Sequence, residues 1–265
     1  MKFFIAIGAY YSALLFLSSC NTSGNSTISN AGDTIIYKYK AAHYLQNNDK
    51  IKDTSLLFRA SIYYPEFDEK QNKNLADSLY AHIQYSAFKG CKTAEEATKA
   101  FVDECIKQTK EEFGLSMLGW ESIDSVTVVS NTPNTISLRR MHYSYTGGAH
   151  GNPSETYTSF KSSNGKRLKL DDIIQTGKIL EFKAINIAHL KKSRNIKEQS
   201  TLEDVGLFVS EDDLPLPSSF ALTRQGLLLA YDYYEIASYA DGVISYTIPF
   251  SMLKGVLKSE YIITE

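Results

Sequence analysis

Cysteine is scarce in this 265-residue chain, with three residues at 20, 91 and 105. That excludes a small scaffold stapled by many disulfides, and without a Cys-x-x-Cys the common zinc and thiol-redox motifs are missing as well. Histidine is nearly as sparse. None of His43, His82, His142, His150 or His189 has a second histidine four residues on, so the His-x-x-x-His pair of a zinc deacetylase and the His-Glu-x-x-His helix are both excluded. No Gly-x-Ser-x-Gly elbow and no Walker loop occur. A catalytic set assembled from residues far apart in the sequence stays open. Charge of one sign is lacking too: 28 Lys and Arg against 30 Asp and Glu leave a net charge of −2. No basic face is then available for counterion release, and nucleic-acid binding is not expected.

Long apolar runs are also missing. The longest, residues 3–17, is about fifteen residues behind a Met-Lys start, the length of a signal h-region and short of the roughly twenty that span a bilayer. It ends in Leu17-Ser18-Ser19-Cys20, an arrangement that resembles a bacterial lipobox. The expectation is a lipoprotein signal over 1–19, cleaved so that Cys20 becomes the lipid-bearing first residue. Several buried acyl chains, at about 0.8 kcal/mol per methylene, hold such a protein to a membrane without crossing it. Residues 20–33 are rich in Ser, Asn, Thr and Gly, the composition of a flexible tether. Uncharged Asn21 points to the outer membrane, with the domain facing periplasm or exterior.

The remainder is long enough for one large domain or two small packed ones. Strand-like runs at 34–46 and 50–64 surround Asn47-Asn48-Asp49 as an antiparallel hairpin, the second ended by Pro65. Helices are predicted at 72–88, with Leu75, Leu79, Ile83 and Ala87 on one face, and at 94–113 behind the capping box Thr93-Ala94-Glu95-Glu96. Cys105 then lies about 18 Å along a helix from its start, too far for a bond to Cys91. Both thiols are expected to be free. Strands follow at 119–130, 134–146 and 155–161. A helix is expected at 179–192 with Leu180, Ala184, Ile187 and Leu190 buried, then strands at 220–223, 227–231 and 242–249 and a short helix at 251–257. Strands and helices mix without regular βαβ alternation, so the class is α+β, antiparallel sheets with packed helices in two sub-domains.

Tyr145-Thr146-Gly147-Gly148-Ala149-His150-Gly151, then Asn164-Gly165-Lys166 and Leu168-Lys169-Leu170-Asp171-Asp172, resemble a module of exported bacterial proteins. Its second half is signalled by the run from Tyr231-Asp232-Tyr233-Tyr234-Glu235 through Tyr239 to Gly242, and by Ile248-Pro249-Phe250. The order and spacing are similar to those in the extracytoplasmic part of the anti-sigma-V factor (RsiV type), which binds lysozyme, and in the accessory region of a peptidoglycan deacetylase (PdaC type). The resemblance implies a PdaC-like sub-domain over 34–152 and an RsiV-like one over 153–265. It also implies recognition of a protein such as lysozyme, or of a cell-wall glycan. The chain lacks the sigma-binding segment of the one and the catalytic domain of the other, so only recognition carries over.

The candidate binding residues are Gly147, Gly148, His150, Tyr231, Tyr233, Tyr234, Glu235 and Tyr239. Gly147 and Gly148 belong to a loop that needs positive φ or close approach to something. His150 either locks that loop through its own hydrogen bonds, or serves as a ligand or base near neutral pH. The tyrosines, with Tyr143, Tyr145 and Tyr157, form either a stacking face or alternate core and rim positions. Lys191-Lys192-Ser193-Arg194 is expected to be a solvated helix end. No catalytic residue, cofactor or metal is assigned. The rival readings are a peptidoglycan-acting hydrolase or accessory factor using His150 with Asp171, Asp232 or Glu235, and a structural envelope lipoprotein.

Overall fold

The computed structural model describes residues 34–47, 51–112 and 119–263. The signal peptide, Cys20 and the tether over 20–33 lie outside the described residues. The first unit is a five-stranded sheet in the order β1-β2-β3-β4-β5, formed by β1 (Tyr37–Leu45), β2 (Arg59–Phe67), β3 (Glu121–Asn131), β4 (Thr135–Tyr145) and β5 (Asn152–Lys161). Between β2 and β3 the chain makes α1 (Lys73–Ser86) and α2 (Ala94–Glu112), and this crossover leaves β2 and β3 parallel. The other three pairs are antiparallel.

Local chemistry sets the helix starts. The Asn72 side chain accepts from the Leu75 N–H at 3.1 Å. Thr93 Oγ1 accepts from Glu96 N at 3.2 Å, while the Glu96 carboxylate reaches back to Lys92 N at 3.0 Å, so the capping box closes one residue earlier than its usual form. Both helices cover one face of the sheet. Leu75, Leu79 and Ile83 from α1 and Ala94 and Ala97 from α2 form a core there with Ile62, Val126 and Leu138. Pro65 does not end the second strand. It sits inside β2 opposite Tyr39, beyond the segment Arg59–Tyr63 that pairs with β3, where a missing N–H costs no ladder bond on that side.

The second unit holds α3 (Leu170–Ile173), α4 (Ile179–Ser193) and an antiparallel sheet of β6 (Ser219–Thr223), β7 (Gly226–Tyr231) and β8 (Ile244–Ile248). The stripe of α4 that faces the core is Phe182, Asn186, His189 and Leu190, whereas Leu180 is 76% exposed. Of the expected stripe Leu190 is buried and Ile187 packs on the core, but Leu180 and Ala184 face outward, because two of the four inward positions carry polar side chains. In place of a helix over 251–257 there is a 3-10 turn at Phe250–Met252 followed by irregular chain.

β5 pairs with β4 along its length, so by pairing the first unit runs on to Lys161, past the boundary expected at 152. The units meet where β6 crosses β4 and β5. Small side chains allow the approach: Ser137 Oγ donates to Leu222 O at 3.1 Å, Leu222 N to Ser159 Oγ at 3.1 Å, and Tyr157 N to Ser219 Oγ at 2.7 Å. Ala221 and Ala230 pack on Tyr157 beside them.

Candidate functional site

The β4–β5 loop of the first unit meets the loop after β7 of the second. Gly147 and Gly148 have φ of 93° and 98°, which turns the chain sharply at no steric cost, and Tyr145 OH donates to the Gly148 carbonyl at 3.1 Å. A Cβ at Gly151 would come within 2.2 Å of the Tyr143 ring, so glycine there lets the backbone lie against that ring. From the other side, Asp232 Oδ1 accepts from Glu155 N at 3.0 Å and from Tyr233 N at 2.9 Å, pinning the second loop to β5.

This docking brings His150 and Tyr239 face to face, with ring centroids 4.5 Å apart and planes 28° from parallel. Their backbone anchor is shared. The His150 Nδ1–H donates to Gly151 O at 2.8 Å, and Tyr239 OH donates to the same oxygen at 3.2 Å. Tyr233 and Tyr234 lie against Tyr239 at 5.4 and 5.8 Å. Tyr234 is 58% exposed and has φ of 62°, an unfavourable conformation for a bulky residue. Behind the rings Glu235 accepts from Asp232 N at 2.8 Å. Burial raises its carboxyl above the usual range; the Asp232 N–H opposes this and the Asp232 carboxylate adds to it.

Gly147, Gly148, His150, Tyr233, Tyr234, Glu235 and Tyr239 are thus brought together. Tyr231 is not among them. It is fully buried, accepting from Asn186 Nδ2 at 3.0 Å and donating to Pro215 O at 2.9 Å, and burial pushes its hydroxyl up to about 12. As the last residue of β7, two positions on from the inward Leu229, it faces the core of the second unit. Tyr157 is buried at the junction of the two sheets. In the basic last turn of α4 Lys192 is exposed, but Lys191 pairs with Glu211 at 2.5 Å and Arg194 with Asp241 at 2.7 Å.

Two charged clusters escaped the sequence reading. On the helix side of the sheet the 2%-exposed carboxylate of Asp124 receives Arg140 Nε at 2.7 Å and His142 Nδ1 at 3.0 Å. On the opposite face Glu155 binds Arg139 and accepts from Tyr157 OH at 2.5 Å; burial first, and then this bond, raise the Tyr157 hydroxyl. The signal for the first cluster was a pair of polar residues, Arg140 and His142, continuing the inward alternation of Leu138 on β4. Cys91 and Cys105 are free thiols, and burial pushes Cys105 up to about 11. Among the described residues no group of three His, Cys, Asp or Glu could hold a metal ion, and no helix is long and apolar enough to cross a membrane.

Two family models match the chain. One, described as deacetylase PdaC, covers residues 51–153; the other, a protein of unknown function (DUF3298), covers 169–251. Among curated relatives, the peptidoglycan-N-acetylmuramic acid deacetylase PdaC of Bacillus subtilis is 29% identical over 137 residues, 51% of this chain. The match spans only 29% of that enzyme's length. Among solved structures, a DUF3298 family member from Bacteroides fragilis has a TM-score of 0.71 at 20% identity, covering 86% of this chain and 96% of that one. Another from Pseudomonas aeruginosa has a TM-score of 0.65 at 19% identity, covering 89% and 100%. These two establish the fold. The aromatic junction straddles both matched regions, with the glycine loop and His150 in the first and Tyr233, Tyr234 and Tyr239 in the second.

Proposed function

We propose that this chain, which carries a PdaC part followed by a DUF3298 part, is a recognition module of the cell envelope that binds a peptidoglycan-type glycan on its aromatic junction. The observation that carries this reading is Tyr234. A large ring is held 58% exposed at φ of 62°, beside the stacked His150 and Tyr239. Such strain costs on the order of 1–3 kcal/mol and collects where a ligand is bound. Tyrosine is suited to the task because it offers a flat apolar face with a polar rim. Similarity to part of an enzyme named for peptidoglycan favours that polymer as the ligand.

A lipid on Cys20 would hold the module at the membrane, delivered to the outer membrane, with the tether reaching toward the wall. The test is retention of the purified full chain, in detergent, on insoluble peptidoglycan, with calorimetric titration by lysozyme in parallel. Retention on the wall polymer that Tyr234→Ala weakens about tenfold, the scale of a dominant interface ring, is the expected result. Saturable lysozyme binding without wall retention would replace the glycan by a protein ligand, and turnover of wall fragments would replace recognition by hydrolysis. Release of Cys20→Ser protein from membranes is expected if the anchor is real.

A further inference from the structure

We infer that the glycan site does not stop at the junction but continues across the outer face of the five-stranded sheet as a track for an extended sugar chain. This rests on the glycan reading above. The track starts at Tyr143, whose ring lies under Gly151 at the junction. Tyr143 is level with Ile123 on β3, and in the next row Met141 on β4 is level with Ser125 on β3 and Tyr63 on β2. All of these point away from the helices, since their strand neighbours Ile62 and Asp124 line the cavity under α2. The face is open along this line: Met141 is 44% and Tyr63 38% exposed, with Ile123, Ser125 and Tyr143 half-buried.

The far end carries a second aromatic feature. Tyr39 on β1 stacks on Tyr63 with centroids 4.6 Å apart and planes 19° from parallel, and its hydroxyl accepts from Val128 N at 3.1 Å. From β4 to β1 is three strand spacings of about 4.8 Å, roughly 15 Å, enough for several sugar rings. The chemistry along the track favours a neutral polar chain over an acidic or basic one. Its charged neighbours are already paired, Arg139 with Glu155 and Arg59 with Glu121, which leaves ring faces, a thioether and a serine hydroxyl. A chain of N-acetylated hexoses presents flat faces and hydroxyls to match. The track is continuous with the junction, so one strand of polymer would meet Tyr234 at one end and Tyr63 at the other.

The experiment measures affinity of the full chain for N-acetylglucosamine oligomers of increasing length. Affinity should climb with length and then level off. Tyr63→Ala should abolish the climb, cutting affinity for the longest oligomers about tenfold while leaving the shortest unchanged. Met141→Glu, at an exposed mid-track position, should do the same, and serves where loss of the Tyr39–Tyr63 stack disturbs the sheet. Tyr234→Ala should weaken every length equally. Affinity that is independent of length and indifferent to Tyr63 and Met141 would overturn the track while leaving the junction platform standing. No binding at any length would remove both.

Discussion

The two units bury polar groups in opposite ways. The first encloses an ion pair, Asp124 with Arg140, to which His142 Nδ1 adds a hydrogen bond, on the helix side of its sheet. The second encloses a neutral chain, in which Tyr246 OH donates to Asn186 Oδ1 at 2.6 Å and Asn186 Nδ2 donates to Tyr231 OH at 3.0 Å. A buried carboxylate is tolerable only while its partners remain, and removing one partner exposes the full desolvation cost of the others. Neutral hydroxyl and amide groups cost less when orphaned. The first unit should therefore respond steeply to single substitutions, and the second mildly.

The largest expected effect is at Asp124. Asp124→Ala leaves Arg140, 21% exposed, without a counter-charge and His142, 16% exposed, without its hydrogen-bond acceptor. It should lower stability in urea unfolding by about 3 kcal/mol or more. Replacing the trio together by Leu, Met and Leu should recover most of that loss, since apolar substitutes of similar volume are often neutral or better. If the single change costs under about 1 kcal/mol, the ionic cluster is not what distinguishes the first unit.

How this cluster and the junction stood in the sequence explains what reading residues in order can reach. Helices α1 and α2 were legible because their apolar residues repeat at helical spacing and their caps are local. The α+β class and the glycine loop were legible for the same reason. The stripe of α4 was not, because Asn186 and His189 face inward to satisfy Tyr246, Tyr231 and the core, and period counting sees only apolar side chains. Tyr231 was grouped with Tyr233, Tyr234 and Tyr239 as a candidate binding residue, yet it ends β7 on the core face of Leu227 and Leu229, whereas the others lie in the loop beyond, where strand alternation no longer applies. Asp124 and His142 are opposed only through the β3–β4 register, and the meeting of His150 with Tyr239 depends on the docking of one unit on the other. Alternation along β4 marks Arg140 and His142 as inward polar residues, but neither pairing can be read from local spacing.

Acid should sharpen the contrast, because the histidine that burial depresses most lies in the first unit, although His189 on α4 is lowered as well. His82 on α1 packs edge-on against Phe160 at 5.3 Å, and burial, with Arg167 and Arg140 nearby, holds its pKa down to about 4. Its folded value lies below the unfolded 6.5, so the contribution is fully present above pH 6.5 and is lost as pH falls toward 4. At about 1.4 kcal/mol per pKa unit, up to roughly 3 kcal/mol is at stake. His82→Phe should flatten the fall in stability between pH 6.5 and 4.5 relative to the parent chain. An unchanged slope would place the acid sensitivity elsewhere.

In the second unit Asn186→Ala removes both hydrogen bonds of the neutral chain. Tyr231 keeps Pro215 O as a partner and Tyr246 keeps the Tyr231 hydroxyl, so no hydroxyl is orphaned and the cost should be about 1–2 kcal/mol. A loss as large as that at Asp124 would erase the distinction between ionic and neutral burial.

The smallest effect should carry the opposite sign. At Tyr234 the backbone φ of 62° suits glycine and burdens tyrosine, while the ring, 58% exposed, contributes little to the core. Tyr234→Gly relieves strain of about 1–3 kcal/mol and gives back about 0.5–1 kcal/mol through the freer unfolded chain. The net should be a gain near 1 kcal/mol in urea unfolding, accompanied by weaker retention on peptidoglycan. A position where the native residue lowers stability and its removal lowers binding is one held for the ligand. If Tyr234→Gly instead destabilises, the ring supports the docking of the two units through Tyr239, and the junction owes its shape to packing.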